Sequence, residues 1–171
     1  MGLRDRLGGR DQRAVRRYRM REKLMSVGDD YWVEDESGNR AFKVDGKAFR
    51  VRQTFVLEDP SGRELAKIQE RKLSVRDKMD IDWEGRTVTV RKALVGIRER
   101  FKIEVEGGPE LKAQGNFVDH EYEIERDGDT VATVSKRWFR VRETYGVEIG
   151  SDESDELMLA ITVCLDAMSR D

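Results

Sequence analysis

Two hydrophobic patterns divide this chain. From Tyr18 onward, short runs of alternating apolar and polar residues are separated by clusters of Gly, Asp, Asn, Ser and Pro. Val88 and Val90 alternate with Thr87, Thr89 and Arg91, which is the period of two of a half-buried strand. Five hairpins follow from this pattern. They are 31–33 with 41–44, 54–58 with 64–69, 80–83 with 86–91, 101–105 with 111–114, and 121–125 with 130–135. Short strands at this spacing, joined by regular turns, indicate a sandwich or a barrel, and a barrel has no open sheet edge.

The second pattern occurs once, at the C-terminal end, in Asp155–Met168 (DELMLAITVCLDAM). Leu157, Ala160, Ile161, Cys164, Leu165 and Met168 share one helical face, and Met158, Leu159 and Val163 fill the others. A helix apolar all round belongs in a core or a membrane. The apolar run from Leu157 to Leu165 has nine positions, too few for the roughly 20 that a membrane span needs. The expectation is a helix over 155–168 enclosed by a barrel, with Ser154 or Asp155 capping its start. Asp152, Glu153, Asp155 and Glu156 suit the positive end of the helix dipole.

A heptapeptide recurs: apolar, any, apolar, Arg, acid or Gln, any, apolar. It reads YRMREKL from Tyr18, FRVRQTF from Phe49, LSVRDKM from Leu73, VGIRERF from Val95 and FRVRETY from Phe139. Gly62, Ala66, Arg71, Val75 and Arg76 match Gly128, Ala132, Arg137, Val141 and Arg142 at a constant offset, so the halves read as copies of one unit. Positions one, three and seven can face a core together. The polar fifth position implies a bend or bulge in each copy. The five heptad arginines, Arg21, Arg52, Arg76, Arg98 and Arg142, either pair locally or converge at one barrel mouth to hold an anion.

Composition narrows the function classes. The 171 residues fit one domain. Residues 1–17 form a basic arm, either solvated or an electrostatic tether, and residues 18–171 form the barrel domain. With 40% charged residues and a formal net charge of −2, there is no general drive toward nucleic acid or an anionic membrane. The single cysteine, Cys164, excludes a disulfide framework and fits a reducing, cytoplasmic setting. No apolar leader marks a secretory signal.

No zinc spacing, phosphate-binding loop or dinucleotide fingerprint is present, and no cofactor is expected. His120, the only histidine, reads as a strand-edge residue without a nucleophile beside it, and Cys164 reads as a small core hydrophobe. The chain is therefore expected not to be an enzyme. Asp166 stands where the helix dipole disfavours an acid. It is expected to mark the helix emerging toward water or a basic partner, with a buried proton-linked role as the alternative. Lys136 to Arg142 mixes cations with aromatics, and Trp138, Arg140 and Arg142 would share a strand face that can hold phosphate and stack a ring, or lie solvated. The anion- or lipid-binding candidates are thus Arg137, Trp138, Arg140 and Arg142, with Arg71 and Arg76 in the other half.

Residues 23–48, residues 115–149 and the terminal apolar helix together resemble the LURP-one-related family, which groups with Tubby C-terminal domains and phospholipid scramblases. The resemblance runs over about residues 19–168. It implies a closed antiparallel barrel of about twelve strands around a hydrophobic C-terminal helix. For function it implies a non-enzymatic binding or scaffold domain, docking on anionic phospholipid head groups or a protein partner, at most peripheral to a membrane. The alternative is a scramblase-like lipid handler or small-molecule carrier with a cavity beside the helix. The scramblase likeness also raises calcium binding by Asp152, Glu153 and Asp155, although the segment lacks EF-hand spacing and suits helix capping better.

Overall fold

Alternation of side chains across a strand sorts the sequence into a wall with two different faces. In a computed structural model, residues 15–21, 30–47, 52–71, 78–95, 98–139 and 143–169 are described. The twelve strands are β1 (Arg16–Arg21), β2 (Asp30–Asp35), β3 (Arg40–Gly46), β4 (Thr54–Glu58), β5 (Glu64–Glu70), β6 (Lys78–Trp83), β7 (Arg86–Val95), β8 (Arg98–Val105), β9 (Glu110–Asn116), β10 (Glu121–Arg126), β11 (Asp129–Ser135) and β12 (Thr144–Ile149). Every neighbouring pair is antiparallel, and β1 pairs with both β2 and β12, closing the barrel. All five expected hairpins form. The first strand starts at Arg16, so Arg16 and Arg17 belong to the wall.

The inward faces carry Tyr18 and Met20, Tyr31 and Val33, Ala66 and Ile68, Val88 and Val90, Phe101 and Ile103, and their counterparts on the other strands, all buried. Helix α1 (Asp155–Met168) fills the lumen. Every residue from Leu157 to Met168 is buried, and Ala160, Ile161 and Val163 are 0% exposed. The expected helix thus has its expected bounds and enclosure. Ser154 is its N-cap, its Oγ accepting from the Leu157 N–H at 3.2 Å.

Turn chemistry sets the register. Three hairpins, β2–β3, β4–β5 and β10–β11, each shift register just before the turn, leaving Ala41, Leu65 and Val131 as the extra residues. Gly62 and Gly128 both adopt positive φ in the β4–β5 and β10–β11 turns, and Ala66 and Ala132 are both buried. The half-to-half correspondence read from the sequence therefore extends to the bulges. Position seven of the heptad points inward in four copies, as Phe55, Met79, Phe101 and Tyr145, all buried. The fifth position of the last copy, Glu143, has φ +59, which is the expected bend, but Glu99 of the fourth copy pairs with Leu94 in an unbroken β7–β8 register, so the bend is not common to every copy. Leu24 lies outside the described residues.

Candidate functional site

Two regions carry chemistry beyond packing: a polar cluster inside the barrel, and the rim where β10 begins and β11 ends.

The cluster surrounds Asp166, which is 3% exposed rather than emerging into water. Its Oδ2 accepts from the Tyr145 hydroxyl at 2.7 Å. Its Oδ1 lies 3.0 Å from His120 Nε2, at ion-pair distance but without the N–H alignment of a hydrogen bond. His120 does not sit on a strand edge. It ends the four-residue turn 117–120 at φ +53, buried, with its ring against Tyr145 at 4.3 Å. The turn is held by Asn116, whose Oδ1 accepts from the Asp119 N–H at 3.1 Å and whose amide donates to the Asp119 carboxylate at 2.6 Å. Phe117 is pinned edge-on to Phe101 and beside Tyr122, each at 4.7 Å.

Burial first, and then the nearby Asp166 carboxylate, push the Tyr145 and Tyr122 phenols well above their ordinary range. Both rings are therefore held protonated, and Tyr145 serves as a fixed donor. Thr162, the polar residue of the apolar run, donates to the Met158 carbonyl at 2.8 Å and so satisfies itself within the helix. Cys164 faces Met168 at 3.8 Å, and burial pushes its thiol up, which is the behaviour of a core residue and not of a nucleophile. The cluster ties the C-terminal turn of α1 to β12 and to the β9–β10 turn. Of its groups only Tyr122 lines the outer groove across β8–β11 described below.

At the other end, β1 locks the start of α1. Arg16 Nε donates to Asp155 at 2.7 Å, and its terminal nitrogens donate to the Glu153, Gly150 and Ser151 carbonyls. Tyr18 donates to the same Asp155 carboxylate at 2.6 Å. Arg126 grips Glu153 with both terminal nitrogens, at 2.6 and 2.7 Å. Glu153 and Asp155 are thus engaged by arginines. Among the described residues no group of three or more His, Cys, Asp or Glu side chains could hold a metal.

The predicted site residues do not gather in one place. Arg137 lies in the turn after β11 with its side chain 85% exposed, and its nearest carboxylate is Glu121 at 3.9 Å. Trp138 lies in the same turn rather than on a strand. Its ring rests over Gly146 of β12, where a Cβ would stand 2.6 Å from the ring, and the Arg17 guanidinium stacks on it at 5.2 Å. The Phe139 ring also packs on Gly146, 2.9 Å from the same Cβ position, with the Arg19 guanidinium 5.9 Å from its centre. Arg71 pairs with Asp80 at 3.1 Å. It follows β5, six strands around the barrel from β11, so Arg71 and Arg137 sit on opposite sides. Arg76, Arg140 and Arg142 lie outside the described residues, and so does the basic arm before Val15. Of the heptad arginines, Arg21 is exposed and Arg52 half-buried, and neither lines a groove described here.

Sequence reasoning missed the pairing of Asp166 with Tyr145 and His120, and an outer groove of about 710 Å³ across β8–β11 beneath the 117–120 turn. A tyrosine at an inward heptad position was the available signal, because a buried hydroxyl calls for a partner.

No helix among the described residues is long and apolar enough to cross a membrane. An X-ray structure of a protein from Arabidopsis thaliana shares the fold, with a TM-score of 0.60 at 14% identity over 91% of this chain and 92% of that one. No curated protein matches the sequence. The LURP-one-related family model matches residues 16–166, from the first residue of β1 to the acid at the centre of the buried cluster. Closed barrel, enclosed helix and family match agree: the chain belongs to the LURP-one-related family.

Proposed function

We propose that the protein is a non-enzymatic binding and scaffold domain that docks peripherally on anionic phospholipid head groups through the turn after β11. The observation that carries this reading is Arg137, whose side chain is 85% exposed beside the seated Trp138 ring. Its neighbours are already engaged: Arg17 with Glu148, and Arg19 with Glu34. Arg137 has guanidinium donors to spare, since its carboxylate neighbour is 3.9 Å away. An arginine with an aromatic beside it suits the phosphate and glycerol levels of a bilayer surface.

Each basic residue near an anionic surface contributes about 1 kcal/mol. Arg137→Glu removes one such term and adds a repulsion of similar size, so vesicle affinity should fall by roughly one order of magnitude. The assay is sedimentation with phosphatidylserine-containing vesicles against phosphatidylcholine alone, at low and high salt. Salt-sensitive binding to the anionic vesicles, weakened in the variant, is expected. Equal binding to both vesicle types, or no binding at low salt, sinks the proposal.

A further inference from the structure

The two ends of the barrel differ in charge. At the end where α1 starts, tight turns join the strands, and Glu36, Glu64, Glu84, Asp127 and Asp129 stand exposed in or beside them. Of the cations there, Arg16 pairs with Asp155, Arg63 with Asp59 and Arg126 with Glu153, Arg40 lies over Trp32, and Arg86 is exposed. At the opposite end, which holds the turn after β11, Arg21, Arg52, Lys78 and Arg137 have no ion pair shorter than 3.9 Å among the described residues. The acids of that end are engaged, Asp30 by Lys43, Glu99 by Lys92 and Asp119 by Asn116, which leaves Glu70. We infer, on the lipid-docking reading above, that the barrel meets the anionic bilayer end-on. The basic rim is in contact, the acidic end points away, and the Val118 side chain enters the head-group layer beside Arg137.

The rim cations are dispersed. Arg52 precedes β4 and Arg137 follows β11, five strands apart around the closed ring. At the usual strand spacing that is roughly 24 Å of wall. Groups so far apart do not share one anion, but a broad surface of many charges can meet all of them. The same surface repels the acids at the far end, so the charge distribution turns the molecule before contact. Val118 belongs to the basic end, 69% exposed in the turn between β9 and β10. Glu121, just after that turn, accepts from the Ser135 hydroxyl at 2.9 Å and from the Lys136 N–H at 3.1 Å, which ties the Val118 turn to the Arg137 turn. Phe117 is locked between Phe101 and Tyr122, Asp119 is tied to Asn116, and His120 is anchored inside the barrel. Val118 is therefore presented with little ordering cost left for binding. An apolar side chain beside an exposed arginine and an aromatic ring suits the boundary between head groups and acyl chains.

The test is sedimentation with phosphatidylserine-containing vesicles at low salt, with charge reversals at both ends. Arg21→Glu on the basic rim should weaken binding about tenfold, as Arg137→Glu does. Arg86→Glu changes the net charge equally but lies at the acidic end, and should leave binding within about twofold. Val118→Asp should weaken it about tenfold. All three altered positions are exposed, and circular dichroism with the melting midpoint verifies that the variants fold. A nitrobenzoxadiazole label on Val118→Cys should shift its emission to the blue on vesicles, and the same label on Arg86→Cys should not. Cys164 is 0% exposed and does not compete for the label. Arg86→Glu weakening binding as much as Arg21→Glu overturns the end-on arrangement and leaves lipid docking standing. So does a label at position 118 that stays in water while Arg137→Glu still weakens binding. No binding of the unaltered protein to the anionic vesicles removes both readings.

Discussion

Asp166 is the most consequential single residue among those described. A carboxylate 3% exposed in an apolar lumen is tolerable only with partners, and it has Tyr145 as donor and His120 within ion-pair distance. Asp166→Ala leaves the Tyr145 hydroxyl buried without its acceptor and removes the carboxylate that lies 3.0 Å from the His120 ring, which should cost about 2–4 kcal/mol. His120→Asn keeps a residue that accepts the left-handed backbone at φ +53 while removing the imidazole. Urea unfolding of both single variants and the double variant should give a coupling above about 0.5 kcal/mol. Strict additivity would mean that the 3.0 Å approach carries no energy. The oddness of Asp166 was visible in the sequence, because an acid near a helix C-terminus opposes the dipole. Its partners were not, since Tyr145 is 21 residues away and His120 further.

At the scale of elements, α1 depends on the chain's first strand. Ser154 caps the helix, and Arg16 donates to Asp155 and to three backbone carbonyls just before the helix starts. Ser154→Ala should cost about 1 kcal/mol. Arg16→Ala should cost about 1–3 kcal/mol, because it strips charge-assisted hydrogen bonds from the loop entering the helix. Arg17→Ala, one residue on, breaks a half-exposed pair with Glu148 and should stay within about 1 kcal/mol. Denaturant midpoints that rank Arg17→Ala equal to or worse than Arg16→Ala would refute this division of labour. The cap and the helix bounds were legible in the sequence because both are local. That Arg16 is wall rather than arm was not, because its partners lie more than 130 residues along the chain.

For the whole molecule, enclosure decides the response to pH. Tyr18, Tyr122, Tyr145 and Cys164 are all harder to ionise folded than unfolded, chiefly through burial. Below the unfolded values both states hold these protons and nothing changes. As pH rises through about 9–10 the unfolded chain releases them first, so stability falls from there upward. Melting midpoints should be level near pH 8 and clearly lower by about pH 11. A midpoint that holds level across that interval would mean that the phenols ionise without unfolding. At acid pH the trend reverses for Asp35 and Asp59. Turn backbone and side-chain donors hold both below the usual carboxylate range, so their contribution is lost as pH falls through the folded values.

Local periodicity was enough for the parts: five hairpins, the apolar helix, the duplicated heptad and the inward rows all follow from residues within a few positions of one another. The sequence also marked Trp138 and the arginines as candidates without saying which would be exposed. Tertiary structure decided that. Closing twelve strands put Arg71 and Arg137 on opposite sides and set Trp138 on Gly146 beside Arg17. Closure also buried Asp166 against a turn remote in sequence and opened a carboxylate-lined groove beneath Val118. Long-range proximity of this kind depends on how the barrel closes, and no short window of residues contains that information.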